Sequence, residues 1–300
     1  MGADSGRRRS MSSHDVYEPV VVGVSRSATA QRAVDWAADA AARRGRPLCL
    51  VHAQEWPAGA APKDRHDSPD QAWASHFRAT GQSLLEDFRE STAERVPGLE
   101  IITRVVDGRP AAVLRDVAED AFLLVIGAHR VSGPGEAFTF GGAGPALVGH
   151  PPCPVVLALE PTHADAPSGP VMVGVDGSAA SAPAVSFAFE EAAACGAELL
   201  AVQVRRPRYG DWPEDLQESY IDISEALAGW PEKYPQVAVR HEVLMGSPAV
   251  KLAEAAADAR CLVVGSRGVG GFRGMVLGST SRTLSHLAPG PLVVVPREAV

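Results

Sequence analysis

Two kinds of hydrophobic pattern alternate along the chain. Short runs at 20–24, 48–53, 123–126 and 155–159 are apolar at nearly every position, and 100–106 fits a further strand. Between them lie Ala-rich stretches, such as 30–43 and 111–120, whose apolar residues recur at helical spacing. A run that is apolar throughout suits a strand buried on both faces, as in a parallel sheet covered by helices on each side. Strands alternating with helices predict parallel β-α-β units.

The whole pattern then repeats. "VVVGVSRSATAQRAVDWAADAAARRGRPLCLVHA", starting at Val20, matches "VMVGVDGSAASAPAVSFAFEEAAACGAELLAVQV", starting at Val171. "DGRPAAVLRDVAEDAFLLVIGAHR", from Asp107, matches "MGSPAVKLAEAAADARCLVVGSRG", from Met245, and "HPPCPVVLAL" matches "LAPGPLVVVP". The first copy is longer only around the polar segment 56–71, and "EPTHADAPSG" reads as a linker. The expected organisation is a disordered tail at 1–17, a domain at 18–160, a linker at 161–169 and a second domain at 170–297. Each domain is predicted to be a five-stranded α/β unit with helices on both faces.

Length and composition agree with two soluble domains. The 300 residues exceed a typical single domain, and 46% hydrophobic against 21% charged is ordinary for a globular protein. Lys+Arg of 28 against Asp+Glu of 36 leaves a net charge of −8, which argues against a general nucleic-acid surface. No apolar run approaches the ~18 residues needed to cross a bilayer, so no membrane partner is expected. The start, "MGADSGRRRSMSSHDVYEP", has a basic cluster with no apolar segment behind it and does not read as a secretory signal. The acylation pattern that Met1-Gly2 suggests is broken by Gly6. Cys49, Cys153 and Cys261 lie in apolar runs and, with Cys195, form no CxxC pair; free thiols in a reducing cytoplasm fit. The nine histidines show no ligand spacing, so no metal site is assigned.

The candidate chemistry lies in "LVVGSRGVGGFRGMVLGSTSRTL", starting at Leu262. An apolar strand runs into a glycine-rich loop that ends on small hydroxyl residues before a helical pattern. Alone, such a loop is either a turn or a phosphate cradle.

With its surroundings, the sequence resembles the universal stress protein family over essentially its whole length, in two copies. The resemblance implies two tandem Rossmann-like domains, each a parallel sheet of strand order 3-2-1-4-5. ATP-binding members of that family carry Gly, two residues, Gly, nine residues, Gly, then Ser or Thr. Gly265, Gly268, Gly278 and Ser279 stand at those intervals, with Asp176 in "VGVDGS" and Gly246-Ser247-Pro248 as further matches.

In that strand order, strands 1 and 4 are neighbours whose helices leave to opposite faces, and the crevice at their C-terminal ends is the usual ligand site. Glycines let the backbone approach phosphate without a Cβ in the way. Ser279 and Ser281 open the last helix, where free N–H groups and the helix dipole favour an anion. The resemblance implies that Asp176 and the backbone of Val204 hold the adenine end. Gly265, Gly268, Gly278, Ser279, Thr280 and Ser281 then form the phosphate end, with Arg267 and Arg273 as candidate positive charge. Plainer roles stand beside these: Asp-Gly-Ser is also good turn chemistry, and Gly246 with Pro248 shapes a strand-to-helix turn. His52, at a strand end, is expected to make a local hydrogen bond.

The first copy departs from the pattern. Ser25 replaces Asp176, Arg130 replaces the second glycine, Gly141 and Gly142 stand for Gly278 and Ser279, and Gly144 stands for Ser281. A degenerate first site follows. The expected ligand is ATP, with Mg an option, and the expected role is a cytoplasmic, nucleotide-responsive stress regulator. Without a Gly-x-x-x-x-Gly-Lys-Ser/Thr motif it is not expected to be an enzyme beyond slow ATP hydrolysis. A weak ATPase or adenylate-transferring enzyme and a nucleotide-free scaffold stay open as alternatives. Expected partners are an adenine nucleotide, an unidentified regulatory protein and a homodimer through the last strands, "PVVLAL" and "PLVVV"; the two domains packing together would mimic that dimer.

Overall fold

The computed structural model describes residues 18–55, 69–128, 144–161, 168–206, 213–268 and 277–297. The expected tail, most of the linker, and the calls on Arg130, Gly141, Gly142 and Arg273 fall outside them.

The first half runs β1 (Val20–Gly23), α1 (Ala30–Arg44), β2 (Leu48–Gln54), α2 (Pro69–Arg95), β3 (Ile101–Asp107), α3 (Pro110–Ala118), β4 (Leu123–Gly127), α4 (Gly144–Gly149) and β5 (Val155–Ala158). The second repeats it with β6 (Val171–Val175), α5 (Ala182–Cys195), β7 (Leu199–Arg205), α6 (Pro213–Leu227), a short α7 (Trp230–Lys233), β8 (Val239–Met245), α8 (Pro248–Ala255), β9 (Cys261–Gly265), α9 (Ser279–Leu287) and β10 (Leu292–Val295). Gly45 and Gly196 end α1 and α5 with φ of 60°, the left-handed turn in which glycine is favoured.

All ten strands form one sheet in the order β3-β2-β1-β4-β5-β10-β9-β6-β7-β8. Each half therefore has the order 3-2-1-4-5, and every pairing is parallel except β5 with β10. Alternate residues serve opposite faces: Val20 and Val22 pack with α1 and α5 on one side, while Val21 packs with residues of α3 and α8 on the other. Both faces are covered, which is why these strands read as unbroken apolar runs.

The antiparallel seam pairs Leu292 with Leu157, Val293 with Val156 and Val294 with Val155. The two domains thus pack through their last strands within one chain. That alters the homodimer expectation, because β5 and β10 use each other's hydrogen-bonding edges and leave none there for a second copy. The sheet's outer edges are β3 and β8, where exposed Thr103, Arg104, Arg240, His241 and Glu242 discourage further pairing.

A buried ion cluster holds the seam on the α1/α5 side. Glu191, 1% exposed, accepts hydrogen bonds from Arg44 and, at 3.1 Å, from Arg43. Burial alone raises the Glu191 carboxyl, but the guanidinium groups of Arg44 and Arg43 outweigh it and hold the group below the usual carboxylate range. The repeat places Ala40 opposite Glu191 and Arg44 opposite Cys195, so this cluster joins unlike halves. Cys49, Cys153 and Cys261 are buried and free, as their apolar settings predict, and Cys195 is half-buried.

Candidate functional site

β6 and β9 are neighbours, α5 follows β6 on one face, and α9 follows β9 on the other. A crevice therefore opens at their C-terminal ends. It forms a cavity of about 1010 Å³ whose lining includes Asp176, Val204, Gly265, Gly268, Gly278, Ser279, Thr280 and Ser281. All eight residues expected from the sequence face one space.

Asp176 sits just past β6. Its Oδ1 accepts from the Ser178 amide at 3.1 Å, the Ser178 hydroxyl at 2.6 Å and the Ser181 hydroxyl at 2.8 Å. The turn role read from Asp-Gly-Ser is therefore real, and Gly177 takes the left-handed φ of 76° that it requires. These bonds hold the carboxylate in place at the cavity wall.

The glycines differ in what they do. A Cβ on Gly268 would collide with Asp176 Oδ2, so this glycine makes room for the carboxylate. A Cβ on Gly278 would meet nothing nearer than the Ser266 carbonyl at 3.4 Å. Gly278 has an ordinary φ of −63° at the N-cap of α9 and lines the cavity, so neither its backbone nor the described residues around it require a glycine there. The Gly278 amide donates to the Ser266 carbonyl at 2.8 Å, and the first helical bond runs from the Arg282 amide to the Gly278 carbonyl. The amides of Ser279, Thr280 and Ser281 thus have no acceptor inside the helix.

The two serines separate in role. Ser279 is exposed and lines the cavity. Ser281 is 4% exposed and donates its hydroxyl proton to the Gly265 carbonyl at 2.6 Å, fastening α9 to the end of β9. Its hydroxyl proton is thus already used within the protein. Pro248, the first residue of α8, also lines the cavity, and Gly246 has a φ of 142° in the preceding turn.

Sequence reasoning missed the far wall. Gln203 and Arg205 from β7, Glu218 and Asp222 from α6, and Arg206 also line the cavity, as does the expected Arg267. Arg205 donates to Glu218 at 3.2 Å, and Gln203 donates to Asp222 at 3.1 Å. One signal was available: Gln203 interrupts the apolar run "LLAVQV". Nothing in the sequence signalled Asp222 or Glu218, because their approach depends on where α6 lies. Among the described residues no group of three His, Cys, Asp or Glu side chains forms a metal cage.

The first half is described without its loop at 129–143, and its strand ends differ from those of the second. Thr29, in the loop after β1, lies over the end of β4: its carbonyl oxygen is 2.8 Å from where a Cβ on Gly127 would stand. The corresponding Ala180 carbonyl is 3.6 Å from that point on Gly265. Gly81 of α2 lies close against His52 and Gln54 of β2, and His52 Nδ1 is bonded to the Val24 carbonyl at 2.9 Å, the local bond expected of it. A smaller space of about 410 Å³ touches Arg26 and α2 only. Gly144 opens a helix of 6 residues, against 9 for α9.

A family model described as the universal stress protein family matches residues 17–158 and again 168–296. A universal stress protein of Mycobacterium tuberculosis is 34% identical over 302 residues, covering 97% of this chain and 100% of the relative. One of Mycolicibacterium smegmatis is 34% identical over 92% of this chain and 96% of its own length. Among solved structures, a universal stress protein of Archaeoglobus fulgidus superposes with a TM-score of 0.69 at 17% identity, covering 94% of this chain and all of that one. No described helix is long and apolar enough to cross a membrane.

Proposed function

The chain belongs to the universal stress protein family, and we propose that its second half binds ATP and serves in the cytoplasm as a nucleotide-responsive regulator. The observation that carries this reading is the N-terminus of α9. It opens at Gly278 into a cavity of about 1010 Å³, and among the described residues no packing contact accounts for that glycine. Phosphate oxygens would accept from the amides of Ser279, Thr280 and Ser281 and from the Ser279 hydroxyl, aided by the helix dipole. Arg267 adds positive charge at the same wall. Gly265 and Ser281 act indirectly, by keeping α9 fixed to the strand that carries the loop. The held carboxylate of Asp176 and the Val204 backbone face the nucleoside. Any Mg would come with the phosphates, since the described residues supply no cage for it.

Binding without efficient turnover suits the same wall. Among the described residues no lysine lines the cavity. Its carboxylates are engaged: Asp176 by Ser178 and Ser181, Asp222 by Gln203, and Glu218 by Arg205. With no lysine placed for the phosphates, hydrolysis is expected to be at most slow.

The test has two parts. Mass spectrometry of the ligand released from denatured protein should identify an adenine nucleotide, and calorimetry should show tighter binding of ATP than GTP. No nucleotide released and no heat with millimolar ATP would leave a scaffold as the reading. Fast phosphate release would turn it toward an enzyme.

A further inference from the structure

The strands at the seam between the halves do not choose their partner. β5 reads Val155-Val156-Leu157-Ala158 and β10 reads Leu292-Val293-Val294-Val295, both apolar and buried, so either edge could face a copy of itself. The sheet has the same order read from either end, and its central pairing is antiparallel, so an approximate twofold axis relates the halves. Charge breaks that symmetry where α1 meets α5. Among the described residues, the ion pairs of the buried Glu191 are with Arg43 and Arg44, both from the other half. Their side chains are 25% and 9% exposed. Arg44 is held further by its bond to the Ala40 carbonyl at 3.3 Å and by lying over the Phe122 ring, 5.3 Å from the centroid. Arg260, of the same half as Glu191, is not ion-paired to it.

The repeat turns this contact into a rule of pairing. Ala40, Arg43, Arg44 and Phe122 of the first half correspond to Glu191, Ala194, Cys195 and Arg260 of the second. Two second halves joined through β10 would set each Glu191 against the other's Ala194 and Cys195, leaving two buried carboxylates without a guanidinium. Two first halves joined through β5 would set Arg43 and Arg44 against Ala40, with no carboxylate between them. Leaving a buried charge without its partner is strongly destabilising. The unlike pair satisfies every charge, because its second corner sets Ala40 against Ala194 and Cys195. We infer that this corner is a recognition site between domains. The seam of the second half accepts a domain presenting two arginines in the last turn of the helix after its first strand, and rejects another second half. That partner is the first half of this chain or of another copy. Every pair, within one chain or exchanged between two, then holds one cavity lined by Asp176 and one strand end with Ser25 in its place.

The full chain, given a protease site in its linker and cleaved after folding, lets the halves choose again. The nicked protein is unfolded and refolded, and native mass spectrometry reads the composition of each pair. In the wild type, unlike pairs should exceed like pairs by at least about a hundredfold. Arg43→Ala, Arg44→Ala and Glu191→Ala together remove all three charges and leave none unpaired, so like and unlike pairs should then form as often as random association allows. A gain of pairing separates recognition from stability. Glu191→Ala, Ala194→Arg and Cys195→Arg give a second half the charges of a first, and it should pair with an unchanged second half. Random pairing in the wild type, an undiminished preference in the neutral chain, or failure of the converted half to pair with the unchanged one would overturn the inference. If the nicked halves do not refold, intact chains refolded at high concentration decide. The wild type should regain its starting species alone, while the neutral chain also forms larger, like-paired species; identical outcomes would overturn the inference.

Discussion

The Asp176 carboxylate occupies the space that a side chain on Gly268 would need. Two residues 92 positions apart in the sequence thus constrain each other, one at the end of β6 and the other in the loop after β9. The second glycine of the spaced motif is therefore tied to the acidic residue of the first strand.

Gly268→Ala should consequently act through Asp176. The added methyl pushes the carboxylate off its bonds to Ser178 and Ser181. Losing a well-placed hydrogen bond to a charged group costs about 1.5–3 kcal/mol, so nucleotide affinity should drop roughly tenfold or more. Calorimetry checks this. Asp176→Ala combined with Gly268→Ala should be hardly worse than Asp176→Ala alone, and fully additive losses would break the link.

Gly278→Glu tests the other glycine. The backbone there is ordinary and a Cβ has room, so the variant should fold with nearly unchanged thermal stability. Its carboxylate would project toward the same helix N-terminus that a phosphate would use, and ATP binding should vanish. A folded variant that binds ATP normally would remove α9 from the phosphate site.

Much of this was legible in the sequence because it is repetitive and local. Buried parallel strands must be apolar at every position, which placed β1, β2, β4 and β5 within one or two residues. The spacing of Gly265, Gly268, Gly278 and Ser279 located the cavity. What stayed hidden depends on elements meeting in space. Ser281 looks like a free hydroxyl until α9 is seen resting on the Gly265 carbonyl. Glu191 looks like a solvated helix residue until α1 supplies Arg43 and Arg44.

Glu191 leads to a stability prediction with a definite sign. Removing one partner of a buried ion cluster leaves the others uncompensated, so Glu191→Ala should cost roughly 3 kcal/mol in denaturant unfolding. The carboxyl is lowered in the folded state relative to about 4.3 in the unfolded chain. Its stabilisation is thus fully present above pH ~4.3 and is lost as pH falls through the lower folded value. Wild type should lose stability across that window more steeply than Glu191→Gln. Parallel pH profiles would show that the cluster contributes nothing through its charge.

The two halves should differ most sharply in stoichiometry: one tightly held nucleotide per chain, in the second half. The first half has Ser25 where the second has Asp176, and Gly142 where the second has Ser279. Among the described residues its strand ends are also more crowded. The Thr29 carbonyl lies 2.8 Å from the Cβ position of Gly127, while the matching Ala180 oxygen lies 3.6 Å from that of Gly265. α2 comes close to the strand end at Gly81, where the second half leaves Gln203 facing a cavity. Losing charged hydrogen bonds at ~1.5–3 kcal/mol each, with tenfold in affinity per 1.4 kcal/mol, puts the first site roughly a thousandfold or more behind. Native mass spectrometry at micromolar ATP should show a single occupancy, and Gly278→Glu should erase it. Two nucleotides held equally tightly would mean that the first crevice opens despite Thr29, and that loop backbone rather than Asp176 carries the binding.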